Sequence, residues 1–426
     1  MIQKISFALL LSAICLISYS CKDKTTGTYM ANTPTYIDFD EFRETSFEMT
    51  SPRELKNPGK IWIKDQYLFV NEVLKGIHIF DNSNPSNPQN IGFIEIYANT
   101  DLAVRGNILY ADNYNDLLSF DISSINSPEL ICRTNDVFNF EAANNLPGYD
   151  SSLPSAGVIW DKGVILSWTQ EKVTEDIGGV YAFGGPFITN DIGTFESNIT
   201  GANASISNVS IGGSMARFSV TGNHLQILEK RVLTTYSLSG TCPSQTSTTN
   251  IWREGETLFS ANDHLFIGTT TGMLIYNLDS PEAPVFVSDY PHVNSCDPVV
   301  VTGDKAYVTL RTGNRCQGDI NELVIVDISD LTNPTEIATY QMTNPHGLGI
   351  DGNTLFLCDG SGGLKVYDRT NDLDLENNLI SHFEEINTYD VIPYNNNLIM
   401  SSGAGIHQYN YSDISNITEI SLIPVQ

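Results

Sequence analysis

The chain is short of positive charge. Its 426 residues carry 22 Lys and Arg against 50 Asp and Glu, a formal net charge of −28. So acidic a surface repels phosphate backbones, and no local cluster of Lys or Arg offsets it, which excludes nucleic acid as a partner. Charged residues make up only 17% of the chain, whereas 41% is hydrophobic and 10% aromatic. That balance excludes intrinsic disorder, which goes with few aromatics and little apolar surface to bury. Long apolar runs are missing too, and no segment offers the roughly 20 residues of a transmembrane helix. Helical periodicity is equally scarce. No G-x-S-x-G, H-E-x-x-H, Walker A or dinucleotide fingerprint occurs. The seven His are scattered along the chain. Asp81-Asn82-Ser83-Asn84 lacks the Gly and downstream Glu of a calcium loop and reads as an Asx turn closing a strand. Asp359-Gly360-Ser361-Gly362-Gly363 reads as a hairpin turn. No metal, cofactor or catalytic residue is therefore assigned.

What is present begins with a targeting segment. Lys4 precedes an apolar stretch at residues 5–17, about the length of a signal-peptide h-region. It ends in Ile17-Ser18-Tyr19-Ser20-Cys21, which resembles a bacterial lipobox although Ser18 stands where Leu is usual. The expectation is a signal peptide at residues 1–20 and lipid attachment at Cys21. Lys22-Asp23-Lys24 resembles the export tag of surface-exposed lipoproteins, and the Thr-rich residues 25–35 read as a polar tether within a lead-in of residues 21–54. An exported chain meets oxidising conditions, so Cys296 and Cys316, flanking one hairpin-sized segment, are the expected disulfide. Cys132 and Cys358 sit in apolar runs and read as small buried hydrophobes.

Internal repetition is the strongest signal. An apolar run ending in Asp, Asn or Ser recurs at Asp81, Asp121, Ser237, Asn277, Asp327, Asp368 and Asn410, commonly followed by a Ser/Asn/Pro turn. The successive spacings are 40, 116, 40, 50, 41 and 42 residues. A period of this size with β-rich content is that of a four-stranded propeller blade. Gly106-Asn107, Gly222-Asn223 and Gly352-Asn353 add a second column, with the turn chemistry of tight hairpins. The predicted fold is therefore all-β: one β-propeller over residues 55–426, of about seven blades, with eight as the alternative. The 50-residue step reflects a lengthened loop at residues 312–322. The 116-residue step reflects an irregular insertion at about residues 133–213, in which Val158-Ile159-Trp160 and residues 163–168 look like strands.

The segment Leu323-Val324-Ile325-Val326-Asp327 spells the signature of the LVIVD-repeat family, which the chain resembles over roughly residues 55–426. The runs ending at Asp81, Asp121 and Asp368 fit the same pattern. The resemblance implies a bacterial β-propeller of an exported or surface class, and it carries over no catalytic residue.

Aligning the units on their Gly-Asn turns picks out two polar rings at the starts of the innermost strands. One holds Lys60, Asp101, Arg217, Thr257, Pro298, Gly347 and Asp390; the other holds Gly59, Thr100, Ala216, Glu256, Asp297, His346 and Tyr389. From these, Arg217, Glu256, Asp297, His346 and Asp390 are the expected ligand-binding residues. The alternative is that they pair with each other and with backbone to fill the channel. Two functions compete. One is a monomeric, lipid-anchored outer-membrane protein displayed at the cell surface, binding an envelope protein or glycan without catalysis. The other is a hydrolase or lyase acting on an extracellular polymer at the channel mouth. A pocket joining His346, Asp297 and Arg217 would favour the enzyme, and paired charges the binder.

Overall fold

The computed structural model describes residues 26–140, 142–176, 216–292, 298–311 and 320–426. The described residues divide into two compact units, those within 45–141 and 191–426 and those within 1–44 and 142–190.

In the larger unit the described residues form seven four-stranded antiparallel blades. Blade I comprises Pro58–Lys64, Tyr67–Glu72, Gly76–Asp81 and Gln89–Glu95. Blade II comprises Leu102–Arg105, Ile108–Asn113, Asp116–Asp121 and Glu129–Thr134. Blade III runs Phe218–Thr221, His224–Glu229, Val232–Ser237 and Ser244–Asn250, and blade IV Gly255–Ala261, His264–Thr269, Gly272–Asn277 and Val285–Pro291. Blade V runs Val299–Thr302, Lys305–Leu310, Glu322–Asp327 and Thr335–Gln341. Blade VI runs Leu348–Asp351, Thr354–Cys358, Leu364–Asp368 and Leu379–Phe383, and blade VII Thr388–Tyr394, Asn397–Ser402, Gly405–Asn410 and Thr418–Pro424.

The repeated Asp/Asn/Ser column ends the third strand of every blade, for a local reason. Its side-chain oxygen accepts the backbone N–H two residues on: Asp81 from Ser83 at 2.9 Å, Asp121 from Ser123 at 2.8 Å, and Asp327 from Ser329 at 2.8 Å. Asn277, Asp368 and Asn410 do the same at 2.7, 2.8 and 2.9 Å, and the Ser237 hydroxyl at 3.4 Å. Each is an Asx- or Ser-type turn that leads the chain out of the strand. Hydrogen bonds from the hydroxyl and the backbone N–H of the residue two positions on hold the carboxyls of Asp327 and Asp368 below the ordinary Asp value, and those from the backbone N–H and the hydroxyl do the same for Asp81 and Asp121. At the first hairpin of each blade the leading turn residue has a left-handed φ, as in Gly106 at 57° and Asn395 at 51°. Only Gly, Asn and Asp adopt that conformation cheaply.

The third and fourth strands of all seven blades share one irregularity. A register shift falls late in the third strand: Ile79/Phe80 in blade I, Ile275/Tyr276 in blade IV, and Gln408/Tyr409 in blade VII. Such bulges increase twist, which turns the outer strand away from the inner one.

The core lies between blades. Ile61, Ile63, Leu68, Val70 and Phe80 of blade I pack with Ile392, Ile399, Ile406 and Ile423 of blade VII, which closes the ring. The closure is pinned by a parallel bridge between Leu55 and Val425. It is reinforced by reciprocal amide bonds, Asn82 Nδ2 to Gln408 Oε1 at 2.9 Å and Gln408 Nε2 to Asn82 Oδ1 at 2.7 Å.

Cys132 is not an isolated hydrophobe. It is bonded to Cys242, with a Cα–Cα distance of 5.3 Å across a sequence separation of 110, tying the outer strand of blade II to the turn after the third strand of blade III. The apolar run conceals this because the partner lies beyond the insertion. Cys358 is a buried thiol outside this disulfide, as its apolar setting suggests. Cys21, Cys296 and Cys316 lie outside the described residues.

The smaller unit corrects the reading of residues 25–35 as a tether. Thr26–Ile37 is a strand, paired antiparallel with Val164–Asp176. Thr, Tyr and Ile favour extended backbone, and the long partner strand satisfies its ladder. Val158-Ile159-Trp160 is not a strand but leads into a 3-10 turn, Trp160–Lys162. Asn32 secures the ribbon to a neighbouring loop, donating to the carbonyls of Asp150 at 2.8 Å and Leu153 at 3.0 Å and accepting from Asp150 N at 2.9 Å.

Candidate functional site

The starts of the inner strands lie beside the ends of the second strands, and there polar side chains link one blade to the next. At the I–II boundary Asn71 Nδ2 donates to Asn99 Oδ1 at 2.6 Å. Asn99 Nδ2 in turn donates to Asp112 Oδ1 at 2.7 Å. That same oxygen accepts the backbone N–H of Thr100 at 2.7 Å and of Asp101 at 2.9 Å, while the Thr100 hydroxyl donates to Oδ2. Burial pushes the Asp112 carboxyl above the ordinary Asp value, and the Asp101 and Thr100 donors and the Arg217 charge pull it part of the way back. Asp112 thus organises the chain entering blade II. Its signal in the sequence is an acid ending the run Ile108-Leu109-Tyr110-Ala111, which alignment on the turns passed over.

The structure takes Arg217 to the II–III boundary. Its backbone N–H donates to Asp101 Oδ2 at 3.0 Å and its guanidinium to Thr100 Oγ1 at 2.9 Å. At III–IV, Leu258 N donates to the Ala216 carbonyl at 2.8 Å. Half-buried Glu256 belongs to the start of blade IV.

His346, only 2% exposed, lies on the other side of the ring sequence. Its carbonyl accepts the Thr309 hydroxyl of blade V at 2.7 Å, its Nε2 accepts from Asn344 Nδ2 at 3.0 Å, and its ring meets Tyr389 edge-on at 5.9 Å. Gly347 N donates to the Tyr389 carbonyl at 2.8 Å, crossing the VI–VII boundary. Asp390 packs against Gly347 so closely that a Cβ there would overlap its carboxylate. Beside them Asp359, fully buried, accepts from Thr343 N at 2.9 Å, Asn344 N at 2.8 Å and Lys365 Nζ at 2.7 Å. Arg217 and His346 therefore serve different blade boundaries. Asp297 lies outside the described residues.

One further acid–base pair sits in blade I. His78, with no exposure, lies 3.1 Å through Nε2 from Glu72 Oε2. Glu72 also accepts the N–H groups of Lys56 at 3.0 Å and Asn57 at 2.6 Å. Burial raises its carboxyl, but the His78 and backbone bonds outweigh that and leave it below the ordinary Glu value. Among the described residues no three His, Cys, Asp or Glu side chains come together as metal ligands.

Comparison with known proteins adds family and fold. The LVIVD repeat matches residues 57–95, 98–136 and 295–342, which are blades I, II and V. No curated protein matches the chain. Among solved structures, Sqt1 of Saccharomyces cerevisiae aligns with a TM-score of 0.50 at 7% identity, covering 88% of each chain. BamB of Moraxella catarrhalis aligns with a TM-score of 0.48 at 8% identity, over 89% of this chain and 97% of that one. The computationally designed Ika8 protein aligns with a TM-score of 0.48 at 8% identity, over 87% and 89%. At 7% identity the likeness to Sqt1 is one of fold alone. The chain carries LVIVD repeats in three of its blades, and its described residues form a seven-bladed β-propeller.

Proposed function

We propose that the protein is a lipid-anchored, surface-exposed binding module of the bacterial outer membrane, acting on a protein or glycan of the envelope without catalysis. One observation carries the non-catalytic part. Polar side chains at and beside the inner strand starts are spent on joining or ordering blades: the Arg217 guanidinium on Thr100, Asp101 on the Arg217 N–H, Asp112 on the entry to blade II, Asp359 on the entry to blade VI. Groups engaged in this way position backbone, and recognition falls to loops and outer strands, where a rigid scaffold displays variable side chains. The anchor rests on the lipobox-like segment ending at Cys21.

Two measurements test the reading. Palmitate labelling of the expressed chain should disappear with Cys21→Ser, and external protease should degrade the anchored protein on intact cells. The purified chain should bind saturably to isolated native envelope without altering its polymers. Turnover of an envelope polysaccharide that Arg217→Ala abolishes in a folded variant would sink the non-catalytic reading.

A further inference from the structure

The propeller fills several of its own inter-blade grooves. Between blades I and II, Phe47 packs edge-on against Phe120 at 5.6 Å, beneath Arg133 at 5.4 Å from its ring. The same segment continues as Met49–Thr50, which pairs with Ile94 and Phe93 as a fifth strand on blade I. Between blades II and III lies the Cys132–Cys242 bridge. Between blades V and VI the turn Arg369–Asn378 is held by Asp372, whose oxygens meet Lys305 Nζ at 2.5 Å and the Tyr307 hydroxyl at 2.8 Å, and by buried Leu375.

The groove between blades III and IV has the same ground plan with its aromatics exposed. Tyr276 occupies in blade IV the position Phe120 occupies in blade II, fifth in the third strand. It packs with Leu228 and Leu233 of blade III, so it marks that boundary. Phe286 lies edge-on to Tyr276 at 5.6 Å, and Trp252 edge-on to Phe286 at 4.6 Å. Trp252 is 51% exposed, Phe286 40% and Val285 62%. Blade III contributes its outer strand, Ser244–Asn250, the last in its sheet among the described residues. By register Thr249 and Thr248 correspond to Ile94 and Phe93, the residues that receive the fifth strand in blade I.

We infer that the groove between blades III and IV takes an extended peptide of a partner protein. The peptide adds a strand to the outer edge of blade III at Thr248–Thr249 and places an aromatic or large aliphatic side chain against Trp252 and Phe286. Strand addition supplies main-chain hydrogen bonds, and the aromatic corner supplies the side-chain anchor. The occupant is a polypeptide because the molecule itself shows one seated in the equivalent groove. The net charge of −28 favours a peptide without acidic residues. This inference rests on the binding-module reading and names the class of partner.

The test uses a synthetic peptide with the sequence of residues 45–51 carrying Glu48→Lys, added to the full chain in detergent. A Trp160→Phe background leaves Trp252 as the exposed tryptophan reporter, since Trp62 and Trp168 are buried. The peptide should shift Trp252 emission saturably. Trp252→Ala, followed by isothermal titration in place of fluorescence, should weaken binding by about thirtyfold, the loss typical of an aromatic anchor. Thr248→Pro should also weaken it by blocking strand addition, with circular dichroism confirming the fold. Absence of saturable binding would overturn the inference, as would binding indifferent to Trp252→Ala. A soluble neutral glycan that perturbs Trp252 where the peptide does not would overturn it in favour of a sugar. In each of those cases envelope binding by the intact chain still decides the broader reading separately.

Discussion

The most incisive perturbation is at Asp112. Its Oδ1 takes the N–H groups of Thr100 and Asp101 and the Asn99 amide, and its Oδ2 takes the Thr100 hydroxyl. Thr100 and Asp101 are 5% and 0% exposed, so water does not replace a lost acceptor. Asp112→Ala orphans two buried backbone donors and the Thr100 hydroxyl, whereas the Asn99 amide keeps the carbonyls of Asp101 and Asp112. At about 1–3 kcal/mol for each orphaned buried group, with partial relaxation, the expected loss is about 3–6 kcal/mol. Asp112→Asn should behave differently. An amide oxygen placed at Oδ1 keeps three of the four bonds, and its NH2 can donate to the Thr100 hydroxyl oxygen. Since burial already raises the Asp112 carboxyl, a neutral isostere gives up little favourable charge. The Asn variant should lose less than about 2 kcal/mol. Equilibrium urea unfolding followed by far-ultraviolet circular dichroism compares the three proteins. Equal losses in Ala and Asn would refute the argument that acceptor geometry holds blade II to its neighbours, as would an Ala variant within about 1 kcal/mol of wild type.

Three other outcomes follow from the same geometry. Cys242→Ser opens a loop with a sequence separation of 110 and should lower stability by up to about 4–5 kcal/mol on the chain-entropy model; a denaturation midpoint unchanged by reductant would contradict it. Gly347→Ala should cost about 1–3 kcal/mol because the new methyl overlaps the Asp390 carboxylate, read as a fall in thermal midpoint. Glu72 has a folded carboxyl below the ordinary value of 4.5, so its stabilisation is complete above that pH and is lost as pH falls through the folded value. Urea midpoints at neutral and acidic pH should therefore separate wild type from Glu72→Gln at the higher pH and converge at the lower.

The blade plan was legible because it rests on chemistry within a few residues. An Asp, Asn or Ser that accepts the N–H two residues on needs no distant partner, so all seven strand ends stand out in the sequence. The turn glycines and asparagines are legible for the same reason. Contacts made across long separations were not. Thr26 pairs with Asp176, and a Thr-rich segment without strong alternation reads equally well as a linker until its partner strand is known. Cys132 looks apolar until Cys242 arrives from beyond the insertion. Arg217 and His346 stood out as residue types, but the sequence could not say that their bonds run to blade II and to blade V.

The shared bulge register adds a further column that spacing alone does not expose. Opposite the penultimate residue of the third strand stand Asn90, Leu130, Gln245, Phe286, Glu336, Leu379 and Glu419 in blades I to VII. Most are polar or charged, as an outer strand facing water requires. Leu130 falls in the strand that the disulfide ties down, and Leu379 follows the turn packed between blades V and VI. Blade IV alone puts an aromatic ring there, and Trp252 from the preceding connection stands over it. An exposed aromatic pair stands out here because the corresponding grooves between blades I and II, II and III, and V and VI are closed by the chain itself. The departure from the repeat is therefore where a partner is to be sought, and Trp252→Ala is the substitution that separates a binding groove from an unfilled gap. It should leave the unfolding midpoint close to wild type, as a half-exposed side chain contributes little to the core, while weakening peptide binding by about thirtyfold in isothermal titration. A Trp252→Ala protein that unfolds several kcal/mol sooner would make the ring pair a structural seal, and the groove would then be part of the propeller and not of its recognition surface.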